Sequence, residues 1–255
     1  MQTILDYVND WCRRWQMKIN MNRSKVMHFR KKNKPRSTFD FKLGEKNLDY
    51  VEFYKYLGVF LDEFLNFDKH SEVMSLSGTR ALGSIIAKSR KIQNMGFNAF
   101  SILFESSVLP VINYGSEVWG YKTINASDNV QLKAIHSFLG VHKFAPNLAI
   151  QGDMGWVPNI ICRKPNVLRY WNRLLLMENS CTTKKVFEQE YLSNRRGTWC
   201  FYVKKIFESV GMENVYNSQS ICDLQNCKTK LFDLFKVKWK EEISKLPKLR
   251  TYVQI

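Results

Sequence analysis

The stretch 54-YKYLGVFLDE-63 sets two tyrosines, a leucine and a glycine within five residues, then runs through Val59, Phe60 and Leu61 to the acids Asp62 and Glu63. Its aromatic and β-branched content makes 53-FYKYLGVFL-61 a predicted strand. On the period-two rule Tyr54, Tyr56 and Gly58 share one face, while Leu57 and Val59 fill a core. Glycine lets another backbone approach closely, and an aromatic beside it packs against a sugar. Two weaker strand signals come first. The segment 24-SKVMHF-29 alternates polar and apolar residues, and FDFKL at 39–43 with the stretch near Leu48 flanks Gly44 as a hairpin pattern.

Upstream, Ile4, Leu5, Val8, Trp11, Cys12 and Trp15 recur at three- and four-residue steps and predict a helix with one apolar face. Its character changes at Arg13. From Arg13 to Arg36 there are ten cations (13, 14, 18, 23, 25, 30, 31, 32, 34 and 36) and no acid. The segment 30-RKKNKPR-36 reads as a basic loop containing a proline. Such a run suits phosphate contact, because no acid within it offsets the charge.

Beyond Asp68 the period becomes helical. Val73 to Ile92 marks a long helix interrupted by Gly78 and Gly83, with Arg80, Lys88, Arg90 and Lys91 along it as candidate contacts to a duplex backbone. Asn98 to Trp119 is nearly all apolar, and Pro110 should kink or split it. Ser127 or Asp128 is placed to cap a third helix running to Gly140. Further helices are predicted near 146–152, Asn166–Met177, 184–192, 199–210 and 220–245. The aromatics and glycines of 113-NYGSEVWGY-121 read as packing. The expected class is α+β, mostly α, in three parts: 1–67 with the short strands, then helical regions 68–145 and 146–255. Residues 1–67 hold too little core to stand alone comfortably.

The totals restrict function. Across 255 residues, 45% hydrophobic and 14% aromatic content marks a globular chain, not a disordered one. A net charge of +16 attracts polyanions, nucleic acid first. A membrane surface fits less well, since the cations punctuate strands and a loop and do not line one helix face. No signal peptide and no apolar run approaching ~18 residues is present, so the chain reads as soluble and intracellular. Six scattered cysteines make no CxxC pair and should be reduced; His136 and His142, six apart, do not share a helical face. No metal site is expected.

Taken in order, 11-WCRRWQMKINMNRSKVMHF-29, 54-YKYLGVFLDE-63 and 107-SVLPVINYGSEVWG-120 resemble the carboxy-terminal part of non-LTR (LINE-type) retrotransposon reverse transcriptases. The resemblance reads them as the end of the palm, the primer-grip hairpin, and the thumb with its connection. The segment 153-DMGWVPNIICRKPNVLRYWNRLL-175 is similar to the post-thumb region. It implies an RNA template, a DNA primer and their hybrid duplex as partners, together with a missing N-terminal polymerase half. Lys25 would approach the phosphates of an incoming nucleotide. Tyr54, Tyr56, Leu57 and Gly58 would hold a primer end. Arg13, Arg14, Arg30, Lys31 and Lys32 would meet phosphates.

In that family the catalytic acids include a YADD turn whose aspartates hold two metal ions. No such turn occurs here, and its expected place is before Met1. The pairs Asp62–Glu63 and Glu241–Glu242 sit in no strand–turn–strand. Magnesium is thus expected only for the complete enzyme, and this chain alone should not polymerise. The resemblance leaves three readings: a truncated polymerase that grips primer and template, a non-enzymatic nucleic-acid-binding module, and a remnant of a decayed element. At the other end, SKLPKLRTYVQI resembles a point where family members continue, with no Cys/His knuckle in sight.

Overall fold

A thirteen-residue helix, α1 (Gln2–Arg14), opens the chain where the apolar spacing predicts one. The side-chain amide of Gln2 donates to the carbonyl of Lys42 and accepts from its N–H, both at 2.9 Å, tying the helix start to the first hairpin. The apolar face is only partly used. Cys12 is buried, whereas Ile4, Val8, Trp11 and Trp15 stay exposed. The periodicity is right, but the two-residue strands of the first hairpin that packs against the helix cannot cover a thirteen-residue stripe.

The computed structural model describes residues 1–92 and 95–249; the end of the SKLPKLRTYVQI segment, 250–255, lies outside the described residues. The chain divides into two compact units, Met1–His70 and a second beginning at Ser71. The first holds two antiparallel hairpins. One pairs β1 (Lys42–Leu43) with β2 (Lys46–Asn47) around Gly44, as the sequence predicts. The other pairs β3 (Phe53–Tyr56) with β4 (Val59–Asp62).

The second hairpin corrects the reading of 53–61 as a single strand. Leu57 and Gly58 take φ of +46° and +86° and form its two-residue turn. Positive φ at both turn positions matches the twist of flanking strands, which is why glycine belongs there. Leu57, expected in the core, is 76% exposed at the tip. The strand expected at 24–29 reduces to one bridge, Val26 with Tyr50. At the far end of β4, the Asp62 carboxylate accepts N–H groups of Phe64 (3.0 Å) and Asn66 (2.6 Å) and closes the strand. Asn66 then accepts the Asp68 N–H at the start of α2 (Asp68–Ile92).

In the second unit α2 runs on without a break at Gly78 or Gly83. A Cβ at Gly78 would lie 2.2 Å from Cγ2 of Ile112, so that glycine is a contact point. The apolar run that follows splits into α3 (Phe97–Ser107), α4 (Leu109–Ile112) and α5 (Ser116–Trp119). Pro110 occupies the opening of α4, where its missing N–H costs nothing. α6 (Asn125–Leu139) begins before Ser127 and Asp128, so neither caps it; Ser127 faces inward and donates to the Ile124 carbonyl. α7 (Asn147–Met154) ends at Gly155, and α8 (Asn159–Leu175) starts seven residues before the predicted Asn166, with Pro165 inside it. α9 (Thr182–Ser193), α10 (Trp199–Ser209), the unanticipated α11 (Glu213–Asn217) and α12 (Leu224–Ser244) complete the chain.

Among the described residues of this unit two large apolar cores form, with a smaller cluster of Ala149, Ile243 and Leu249. The first joins Leu82 and Ile85 of α2, Phe100 and Phe104 of α3, Ile135 of α6 and Ile150 of α7. The second centres on the buried Trp171 of α8, which meets Phe187, Phe207 and Tyr216 at centroid distances of 5.3–5.7 Å. Trp119 is fully buried, as its motif predicts, while Tyr114 is exposed. Among the described residues no helix is long and apolar enough to cross a membrane.

The glycines give opposite expectations under substitution. At Gly83 nothing lies within 4 Å of a new Cβ, so Gly83→Ala should raise stability by about 0.5–1 kcal/mol. At Gly120 the Cβ would meet the backbone oxygen of Ser116 at 2.4 Å, so Gly120→Ala should cost about 1–3 kcal/mol. Thermal unfolding of the two variants checks both signs.

Candidate nucleic-acid interface

The acid that closes the opening motif organises the basic loop. Glu63 is 5% exposed. Arg30 meets it as a fork, Nη2 to Oε1 at 2.8 Å and Nε to Oε2 at 3.1 Å. Arg36 donates Nη2 and Nε to Oε2 at 2.9 and 3.2 Å, and reaches Glu52 at 3.3 Å. The backbone joins in, with Arg30 N–H donating to the Glu63 carbonyl at 2.9 Å, and the Arg30 guanidinium lies 4.8 Å from the Phe64 ring. The Arg30 side chain also donates to the Lys34 carbonyl. Residues 30–36 thus form a loop tethered to one carboxylate. Burial opposes the Glu63 charge, but the bonds and charges of Arg30 and Arg36 outweigh it and hold the carboxyl below its ordinary range. The bond from Glu63 in turn raises Arg36.

The acid-free interval is therefore not free of acids in space. Lys25 sits 2.6 Å from Asp49, and Arg30 and Arg36 are bound to Glu63. Between those two anchors Lys31 and Lys32 remain exposed, as do Arg13 and Arg14 in the last turn of α1. Among the described residues no acid makes an ion pair with these four. Sequence reasoning missed the organising part of Glu63, Glu52 and Asp49; the signal was the cluster of acids closing the strands.

The hairpin tip is the second feature of the same unit. Tyr54 donates its hydroxyl to the Arg23 carbonyl at 2.6 Å, which pins the hairpin to the turn before it. Tyr56 is 59% exposed and shares a strand face with Val59; Gly58 is half-buried. Four residues of β4 separate the tip from the Glu63 anchor, about 13 Å at ~3.3 Å per residue.

In the second unit Arg80, Lys88, Arg90 and Lys91 are all exposed on α2. At ~100° per residue, Arg80, Lys88 and Lys91 fall within about a quarter-turn, and Arg90 lies on the other flank. Arg80 donates to Ser77 at 2.8 Å.

The acids present do not fit a magnesium pair. Asp62 spends an oxygen on two backbone N–H groups, and both oxygens of Glu63 are held by guanidinia. Among the described residues no group of three or more His, Cys, Asp or Glu is placed to hold a metal ion.

The depressed Glu63 value sets a pH dependence. A carboxyl with a lowered folded value stabilises fully above its ordinary value of 4.5 and loses that contribution as pH falls through the folded value. Cleavage of the 30–36 loop by trypsin should therefore stay slow above pH 4.5, and circular dichroism should show the first unit loosening below it. Glu63→Gln should give fast cleavage already at neutral pH.

Over 191 residues, 72% of its length, the chain is 25% identical to an RNA-directed DNA polymerase from the mobile element jockey of Drosophila melanogaster, of which the match covers 20%. Over 141 residues, 53% of its length, it is 26% identical to a probable RNA-directed DNA polymerase from transposon BS of the same species, of which the match covers 16%. The chain spans a fifth or less of the length of these curated relatives. No protein-family model and no solved structure matches it. Its sequence relationship is to RNA-directed DNA polymerases of non-LTR retrotransposons, the group to which its motifs point.

Proposed function

We propose that the chain is a portion of a retrotransposon RNA-directed DNA polymerase that grips the primer–template duplex and does not catalyse by itself. The observation that carries this reading is the tethered loop: Lys31 and Lys32 are exposed between two arginines locked on Glu63. A positioned, uncompensated pair of ammonium groups attracts phosphates without reading sequence. Tyr56 and Leu57, exposed at the hairpin tip, offer an apolar and aromatic surface to a sugar or base at the primer end. Arg13 and Arg14 extend the cationic surface, and the α2 stripe of Arg80, Lys88 and Lys91 is suited to follow a duplex backbone, with Arg90 beside it. Lys25, engaged by Asp49, supports the bridge between Val26 and Tyr50 more than it meets a nucleotide. The acids of the hairpin are committed to structure, which supports a role in holding the substrate and not in seating magnesium. RNA template, DNA primer and their hybrid are the partners this reading names.

Fluorescence anisotropy with an RNA–DNA hybrid across a salt series tests it. Affinity should fall with a log–log slope of about −0.9 for each phosphate neutralised, and Lys31→Glu with Lys32→Glu should flatten that slope by about two. Tyr56→Ala should weaken binding by about 1–3 kcal/mol at every sequence. Salt-independent binding, or none, defeats the proposal. Magnesium-dependent primer extension by the chain alone should be absent, and extension would overturn the non-catalytic reading.

A further inference from the structure

Between the two helical cores of the second unit lies a pocket of about 390 Å³, lined from α3, α6, α8, α12 and the link after α7. That volume falls within the range of small-ligand sites and suffices for one nucleotide. Nothing in the duplex-holding surfaces uses it.

Its lining combines flat rings with paired cations. Trp156 is half-buried and is stacked on Phe104 at 4.5 Å, which fixes its plane. Across the lining, Phe232 of α12 is partly covered, and the Lys228 ammonium sits 5.5 Å from its ring. Arg169 of α8 is exposed but oriented, donating to the Asn166 side chain at 2.8 Å. Glu105 is the acid facing these two cations, so the lining carries a net positive charge. Gln131 donates its amide to the Val157 carbonyl at 2.9 Å, while its Oε1 is buried with no hydrogen-bond partner.

We infer that this pocket is a site for a single unpaired nucleotide, its base against Trp156 and Phe232 and its phosphate between Arg169 and Lys228. An aromatic acid lacking ribose would use the rings and the cations but not Glu105, which is suited to accept from ribose hydroxyls or an exocyclic amine. Base stacking of this kind is tolerant of sequence, so the site should accept any base with modest preference. The inference shares the nucleic-acid reading above but concerns an unpaired nucleotide, not a duplex.

Two probes separate a free nucleotide from one within a strand: adenosine 5′-monophosphate, and a short single-stranded RNA carrying 5-iodouridine. Both should bind the full chain, and irradiation should cross-link the RNA to Trp156 or Phe232, located by mass spectrometry. Arg169→Glu and Lys228→Glu alter exposed residues and should leave the fold intact. Each should weaken both probes by about tenfold, a change of ~1.4 kcal/mol, while hybrid-duplex affinity stays unchanged. Lys31→Glu with Lys32→Glu should do the reverse. Binding of RNA but not of the mononucleotide would assign the site to strands, and binding of both would make it a general nucleotide site. Cross-links elsewhere, unchanged affinity in both charge variants, or no binding of either probe overturns the inference whether or not duplex binding holds.

Discussion

A carboxylate taken out of water is costly unless its lone pairs are met, and Glu63 meets them with two guanidinium groups from one seven-residue loop. Glu63 also lies at the end of β4, so the loop is fastened to the most regular strand pair of the first unit. A loop with five cations in seven residues repels itself when free. Here two of the five are neutralised by the buried acid, and the remaining lysines are exposed because the loop between the anchors has nowhere inward to turn. The same interaction that stabilises the fold therefore presents the charge. Removing both arginines would leave a buried charge unanswered, a larger effect than the loss of an ordinary surface pair.

What the sequence made legible follows the range of the forces involved. Local periodicity placed α1, α2 and most of the later helices, though not α11 or the start of α8, because an apolar stripe is a property of neighbours in sequence. The Gly44 hairpin was legible for the same reason. Leu57–Gly58 reads as strand because a two-residue turn inside the mostly apolar and aromatic run 53–61 looks like continuous alternation; only the positive φ at both positions separates the two. Gly78 and Gly83 were expected to interrupt a helix. One is instead a contact point for Ile112 and the other is tolerated on an exposed face. The acids that pair with the basic interval were invisible to a reading along the chain, since Asp49, Glu52 and Glu63 reach it only through the hairpins. The exposed face of α1 shows the converse limit: periodicity gives the stripe but not its cover.

The early start of α8 has a physical origin of the same long-range kind. The Asp128 carboxyl of α6 lies by that start, where the N–H groups of Asn159 and Ile160 favour its charged form. Burial raises Asp128, and the charge of Arg163 together with those two N–H bonds works against that shift. Arg163 is itself fully buried, donating to Ser127 and to the Lys122 carbonyl at 3.1 Å with its guanidinium 5.0 Å from the Trp119 ring. Ser127, read from sequence as a cap for α6, instead accepts from Arg163 of the neighbouring helix. A buried arginine thus ties α8 to α6 and to the link before it, beside Cys162 in the lining of the pocket.

Charge in this protein is thus sorted by position and not by composition. Three acids near the second hairpin are absorbed: Asp62 by backbone N–H groups, Glu63 by two arginines, Asp49 by Lys25. What reaches solvent around the tethered loop is the unabsorbed part of the +16. A polyanion finds there a surface whose attraction is long-ranged and indifferent to sequence. Among the described residues no three acidic, histidine or cysteine side chains converge on a position that could hold a cation.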